Sequence, residues 1–208
     1  MKFKLLLVSA VLFQCLVVSL PMVRAAMPAY PLFWDVKPEH EYHEAIMYMG
    51  EVNLMRGYDN LNRAFLPEQK VNRAEFVKVL MISLGAVAAE GGCFGDVNEE
   101  WFATFVCAAK ERGVVNGYGD GNFRPGQNVT FVEAAKLIVK SSGLALPKVD
   151  SKNWYDLYVY ALEERGAIPM SIERFDQELT RGEVAEIFWR VEGGFSQLES
   201  RKYAELRD

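Results

Sequence analysis

Asn72-Arg73-Ala74-Glu75, Thr130-Phe131-Val132-Glu133 and Thr180-Arg181-Gly182-Glu183 are three versions of one phrase. Each sets a small polar residue three positions ahead of a glutamate and just before an apolar run, the capping-box pattern of a helix N-terminus. The polar side chain accepts the N–H of the third helical residue while the glutamate reaches back, contributing about 1 kcal/mol per cap. Asn72, Glu75, Thr130, Glu133, Thr180 and Glu183 are therefore read as structural caps. Three like helix starts at a period of roughly 50–60 residues mark an internal repeat and direct the search for function to the junctions between repeats.

The second copy shows the plan of the unit most clearly. Cys93-Phe94-Gly95-Asp96-Val97 leads into an expected helix from Trp101 to Arg112, which Gly113 stops. A turn-rich loop follows, Asn116-Gly117-Tyr118-Gly119-Asp120-Gly121-Asn122-Phe123-Arg124-Pro125, and then a helix from Thr130 to Ser141. Trp101, Phe105, Ala108 and Ala109 share one helical face, as do Ala134, Leu137, Ile138 and Ser141. In the first copy Phe33-Trp34-Asp35-Val36, a helix around Ala45 to Val52, Arg56-Gly57-Tyr58 and Phe65-Leu66-Pro67 hold the same places, without the loop glycines. The third keeps Trp154 to Arg165, Gly166 and the Thr180 helix but has lost both the Phe-x-Asp-Val entry and the Gly-rich loop, as an end unit packed on one side commonly does. The fold class is mainly all-α, built from three helix-loop-helix repeats over about 33–86, 93–144 and 150–192, within one domain spanning 33–192.

Half of the 208 residues are hydrophobic and a quarter are charged, a globular composition. The chain begins Met1-Lys2-Phe3-Lys4, runs apolar from Leu5 to Leu20 and then presents Pro21 and Val23-Arg24-Ala25-Ala26. That is the pattern of a secretory signal peptide over 1–25, with a short linker over 26–32 after it. Cys15 follows Leu12-Phe13-Gln14, bulky where a lipoprotein site wants small residues, so lipidation is not expected. No other stretch approaches the roughly 20 apolar residues of a membrane span, so the mature chain is expected to be exported and soluble. Cys93 and Cys107 then remain as an even pair in an oxidising compartment and are expected to form a disulfide. A loop of that size contributes about 3 kcal/mol in the chain-entropy model.

The ordered set Phe94-Gly95-Asp96-Val97, Trp101, Gly117-Tyr118-Gly119-Asp120-Gly121-Asn122-Phe123-Arg124-Pro125 and the Arg73 and Arg181 phrases closely resembles the S-layer homology domain family, three such repeats in tandem. The resemblance covers about residues 33 to 192. It implies a compact helical spindle with one prong per repeat around a central bundle, whose grooves bind secondary cell-wall polysaccharide, often pyruvylated, and hold proteins on the bacterial surface.

Against that background the residue after each cap matters. Arg73 and Arg181 put a cation at the positive end of a helix dipole, where stability alone would not choose one. An anionic ligand supplies a reason, because guanidinium forks match carboxylates and neighbouring helix N–H groups add attraction. Pairing with a nearby acid is the other reading. Phe131 takes this place in the middle copy, which leaves one groove weakened or unused. Trp101 and Trp154 start their helices on the apolar face, so core packing is their default role, with stacking on a sugar ring as the alternative. Arg124 is a further groove candidate.

Other chemistries fail on spacing or composition. The net charge of −5 and the lack of a basic block argue against nucleic acid. Gly117 to Gly121 has no Lys-Ser/Thr behind it, so it is not a nucleotide loop, and Asp120-Gly121 reads as a tight turn with positive φ at the glycine. Its oxygen ligands are too few for calcium, and two cysteines with no further Cys or His nearby make no zinc site. His40-Glu41-Tyr42-His43 has its histidines three apart instead of four, and no catalytic triad or glycosidase pair can be nominated. No metal, cofactor or enzymatic activity is expected. The expected function is a non-catalytic, cell-surface anchoring module for an anionic envelope glycan, with other surface proteins as further partners through the charged tail, 193–208. The alternative is a structural or protein-interaction repeat of the envelope whose grooves are degenerate.

Overall fold

The computed structural model describes residues 32–58, 63–86, 89–193 and 198–208; the signal-peptide reading lies outside them, and so does most of the linker. Six α-helices carry the described residues: α1 His43–Glu51, α2 Arg73–Ser83, α3 Ala103–Glu111, α4 Phe131–Ser142, α5 Asp156–Glu164 and α6 Arg181–Gly193. A single 3-10 turn, Tyr203–Glu205, follows. The all-α class is therefore observed, with isolated bridges but no strand among the described residues.

Helix pairs form between repeats. α2 packs on α3, α4 on α5, and α6 returns to α1, so the three units close on one another. The segments leading into α2, α4 and α6 lock this closure with a cyclic set of hydrogen bonds. Val71 N–H donates to the Leu179 carbonyl, Leu179 to Val129, and Val129 back to Val71, each at 3.0 Å. The first helical amides repeat the cycle: Arg73 donates to Gln127 O at 2.9 Å, Phe131 to Gln177 O at 2.8 Å, and Arg181 to Gln69 O at 2.9 Å. Each helix start is thus satisfied by the loop of another repeat, which removes the orphan donors that a free N-terminus would leave.

The capping phrase behaves as its spacing dictates. Asn72 and Glu75 form a reciprocal box, and Glu183 takes the Thr180 N–H at 2.7 Å while Thr180 Oγ1 accepts from Glu183 N–H at 3.2 Å. Glu133 takes the Thr130 N–H at 3.1 Å.

The aspartate of the entry motif also has a clear duty. Asp96 accepts the N–H groups of Phe123 and Arg124, both at 2.7 Å, and Asp35 accepts those of Phe65 and Leu66 at 2.8 and 2.7 Å. Arg124 and Leu66 have φ of 60° and 57°, a left-handed conformation costly for such side chains that this carboxylate clamp holds in place. Cys93 and Cys107 are joined as a disulfide that ties the entry loop to α3.

The segment read as a charged tail is docked where it is described. Leu206 is buried, the Tyr203 ring stacks on Tyr160 with centroids 4.2 Å apart, and its hydroxyl donates to Asp156 at 2.7 Å. Backbone bonds from Phe175 N–H to Arg207 O and from Arg207 N–H to Glu173 O fasten it to the third repeat, which has lost the Gly-rich loop.

Candidate functional site

Two clefts lie at equivalent junctions. The first, about 520 Å³, is framed by Tyr58, Glu75, Lys78, Trp101 and Arg181. The second, about 210 Å³, is framed by Tyr118, Glu133, Lys136, Trp154 and Arg73. Each draws its aromatic floor from one repeat's loop, its lysine from the following helix, its tryptophan from the next repeat and its guanidinium from a third helix start.

In the first cleft Arg181 lies 4.4 Å from the Tyr58 ring centroid and 4.5 Å from that of Phe65. In the second, Arg73 lies 4.9 Å from Tyr118 and 4.8 Å from Phe123. Lys78 sits over Trp101 at 5.2 Å, and Lys136 over Trp154 at 5.0 Å. The Tyr58 hydroxyl donates to Glu75 at 2.8 Å, as the Tyr118 hydroxyl does to Glu133 at 3.1 Å.

Both arginines carry structural work that the sequence does not reveal. Arg181 and Arg73 are only 6% and 8% exposed. Arg181 donates to Phe65 O at 2.7 Å, Arg56 O at 2.7 Å and the Tyr58 hydroxyl at 3.1 Å, and Arg73 donates to Phe123 O at 3.0 Å. Desolvation by burial lowers the Arg181 guanidinium from its ordinary range. Arg73 also meets Glu133 at 3.3 Å, so the acid-pairing reading holds for that residue. The helix N–H groups expected to assist an anion are spent: the first two amides of α2 and of α6 go to neighbouring loops, and those of Glu75 and Glu183 go to their caps.

The tryptophans correct the core-packing default. α3 and α5 begin two residues later than the apolar periodicity suggests, so Trp101 and Trp154 stand in the preceding turns, 58% and 55% exposed, at the cleft mouths. Arg124 is not in the lining of either cleft. Its guanidinium lies 4.0 Å from the Tyr118 ring centroid and pairs with Asp120 at 3.1 Å. Asp120 is held below its ordinary range by the Asn122 backbone N–H and by Arg124, and Gly121 has φ of 82°, the turn its sequence suggests. No cluster able to hold a metal is found among the described residues.

The third junction is built from the same backbone and closed by its side chains. Phe131, fully buried, stands where the other junctions have arginine. Glu186, three residues beyond the capping Glu183, replaces the lysine and is buried against Arg190 at 2.6 Å; desolvation raises its carboxyl. Tyr42 is buried against Gly182, where any added Cβ would run into its ring, and burial pushes its phenol upward.

Sequence reasoning missed Tyr58, Tyr118, Lys78 and Lys136. Their signal was present as the shared Gly-Tyr of the first two loops and a lysine three residues after Glu75 and after Glu133.

A family model described as the S-layer homology domain matches residues 32–77 and 94–135. A cellulosome-anchoring protein of Acetivibrio thermocellus is 31% identical over 117 residues, covering 52% of this chain and 25% of that one. The middle cell wall protein of Brevibacillus brevis is 28% identical over 154 residues, 71% of this chain and 14% of its own length. The S-layer protein sap of Bacillus anthracis is 28% identical over 121 residues, 57% of this chain and 14% of its own. The chain thus spans a quarter or less of each of these relatives.

Proposed function

From the premise that this chain carries S-layer homology repeats in its first two units, we propose that it is a non-catalytic module of the cell surface that attaches to the envelope by gripping an anionic wall polysaccharide in the Arg181 and Arg73 clefts. The single observation that carries this reading is the duplicated constellation of buried guanidinium, mouth lysine and exposed tryptophan. The cations attract a carboxylate, and the indole offers a flat apolar face to the C–H side of a sugar ring. A pyruvyl acetal fits this chemistry, since it places a carboxylate on a sugar ring. No catalytic acid–base pair is needed for retention, and none is assigned.

The hydrogen bonds of Arg73 and Arg181 to loop carbonyls favour a second reading, in which these groups hold the repeats together and the domain serves envelope assembly. The mouth residues separate the two, because they carry no such load. Purified chain is mixed with wall sacculi before and after chemical removal of the polymer, and the Lys78→Ala, Trp101→Ala, Lys136→Ala, Trp154→Ala variant is run beside it. Binding that needs both polymer and mouth residues supports glycan capture. Equal retention by the variant favours assembly, and no retention at low salt by the unaltered chain rejects glycan capture.

A further inference from the structure

The two clefts share a plan but not a charge balance. In the second, Arg73 already has a carboxylate at 3.3 Å, and the lining offers two cations against one acid. In the first, the three acceptors of Arg181 are uncharged oxygens, and Glu75 connects to it through the Tyr58 hydroxyl. Arg56 joins that lining, so three cations face one acid, in a cleft of about 520 Å³ against about 210 Å³. Small-ligand sites are typically about 300–1,000 Å³, a range that includes the first cleft and excludes the second.

We infer that the Arg181 cleft is the principal anion site and that Glu133 restrains its twin by neutralising Arg73. This inference rests on the anion-binding reading of the clefts above. Glu133 differs from Glu75 in where its carboxylate goes. Both accept a tyrosine hydroxyl and a cap N–H, but Glu133 adds the guanidinium. An incoming carboxylate meets a guanidinium already neutralised by a carboxylate in the second cleft, and one held only by uncharged oxygens in the first.

The mouth tryptophans report on the clefts separately. The indole N–H signals of Trp101 and Trp154, assigned by single Trp→Phe replacements, are followed by NMR while the methyl glycoside of glucuronic acid is added. With no carboxylate bound to its guanidinium, the first cleft is expected to bind the anion about tenfold tighter, so the Trp101 signal should half-saturate at about one tenth of the concentration Trp154 requires, a ratio equal to about 1.4 kcal/mol. In Glu133→Gln, which keeps a side-chain oxygen for the cap, the Trp154 midpoint should fall about tenfold while that of Trp101 stays put. Matching midpoints in the unaltered chain, or a Trp154 midpoint unmoved in Glu133→Gln with the amide spectrum intact, overturn the inference and leave glycan capture standing. Silence at both indoles overturns the two readings together.

Discussion

The Arg181 junction and the Phe131 junction are made from one backbone ring and end in opposite states. In both, the first amide of a helix donates to a glutamine carbonyl of another repeat, at 2.9 Å and 2.8 Å. What differs is filling. Arg181 keeps a charged fork at the wall of an open cleft, whereas Phe131 places a fully buried ring, with Tyr42 and the Glu186–Arg190 pair closing the rest. A repeat scaffold holds its shape through the ring and caps, so its junctions are free to become site or core according to a few side chains.

The largest effect that sharpens this contrast is Phe131→Ala. Loss of a fully buried aromatic should cost about 3–5 kcal/mol in urea unfolding, as a core residue does; a cost below about 1 kcal/mol would mean that the third junction is not core. Arg181→Ala comes next. It leaves two loop carbonyls and a tyrosine hydroxyl without their donor, an expected loss of about 2–3 kcal/mol together with weakened wall binding. Full stability in that variant would return Arg181 to a purely ligand-directed role. Gly182→Ala should cost about 2 kcal/mol by overpacking against Tyr42, although Ala74 occupies the matching place in the first repeat. Unchanged thermal unfolding there would mean that Tyr42 does not fill the third junction tightly. The smallest stability effects belong to Trp101→Ala and Trp154→Ala, each within about 0.5 kcal/mol because the rings are exposed. Their effect on sacculus binding should instead reach up to about tenfold, the worth of a good ring contact. Tryptophan variants that unfold readily but bind normally would reverse the contrast.

Much of this was legible in the chain. The period of the apolar residues and the polar-x-x-Glu phrase located the starts of the six described helices to within about two residues, the ordinary precision of such boundaries, because caps and amphipathic faces are local properties. The two-residue error at α3 and α5 mattered, since it moved Trp101 and Trp154 from a buried face to open mouths. The arginines were read from a local electrostatic oddity at a helix start, and that oddity has a partly structural cause: carbonyls from residues more than forty positions away accept their protons. No neighbouring residue announces such acceptors. The cations were found, but their partners were not.

Three like helical units, their caps, their turns and the cysteine pair were readable from residue order alone, because each depends on residues a few positions apart or on composition. Packing in three dimensions settled that helices pair across repeats, that the leading segments close a hydrogen-bonded ring, and that two junctions frame clefts while the third is filled by buried side chains. Those outcomes depend on side chains from distant parts of the chain meeting in space, and on whether charge and volume balance where they meet.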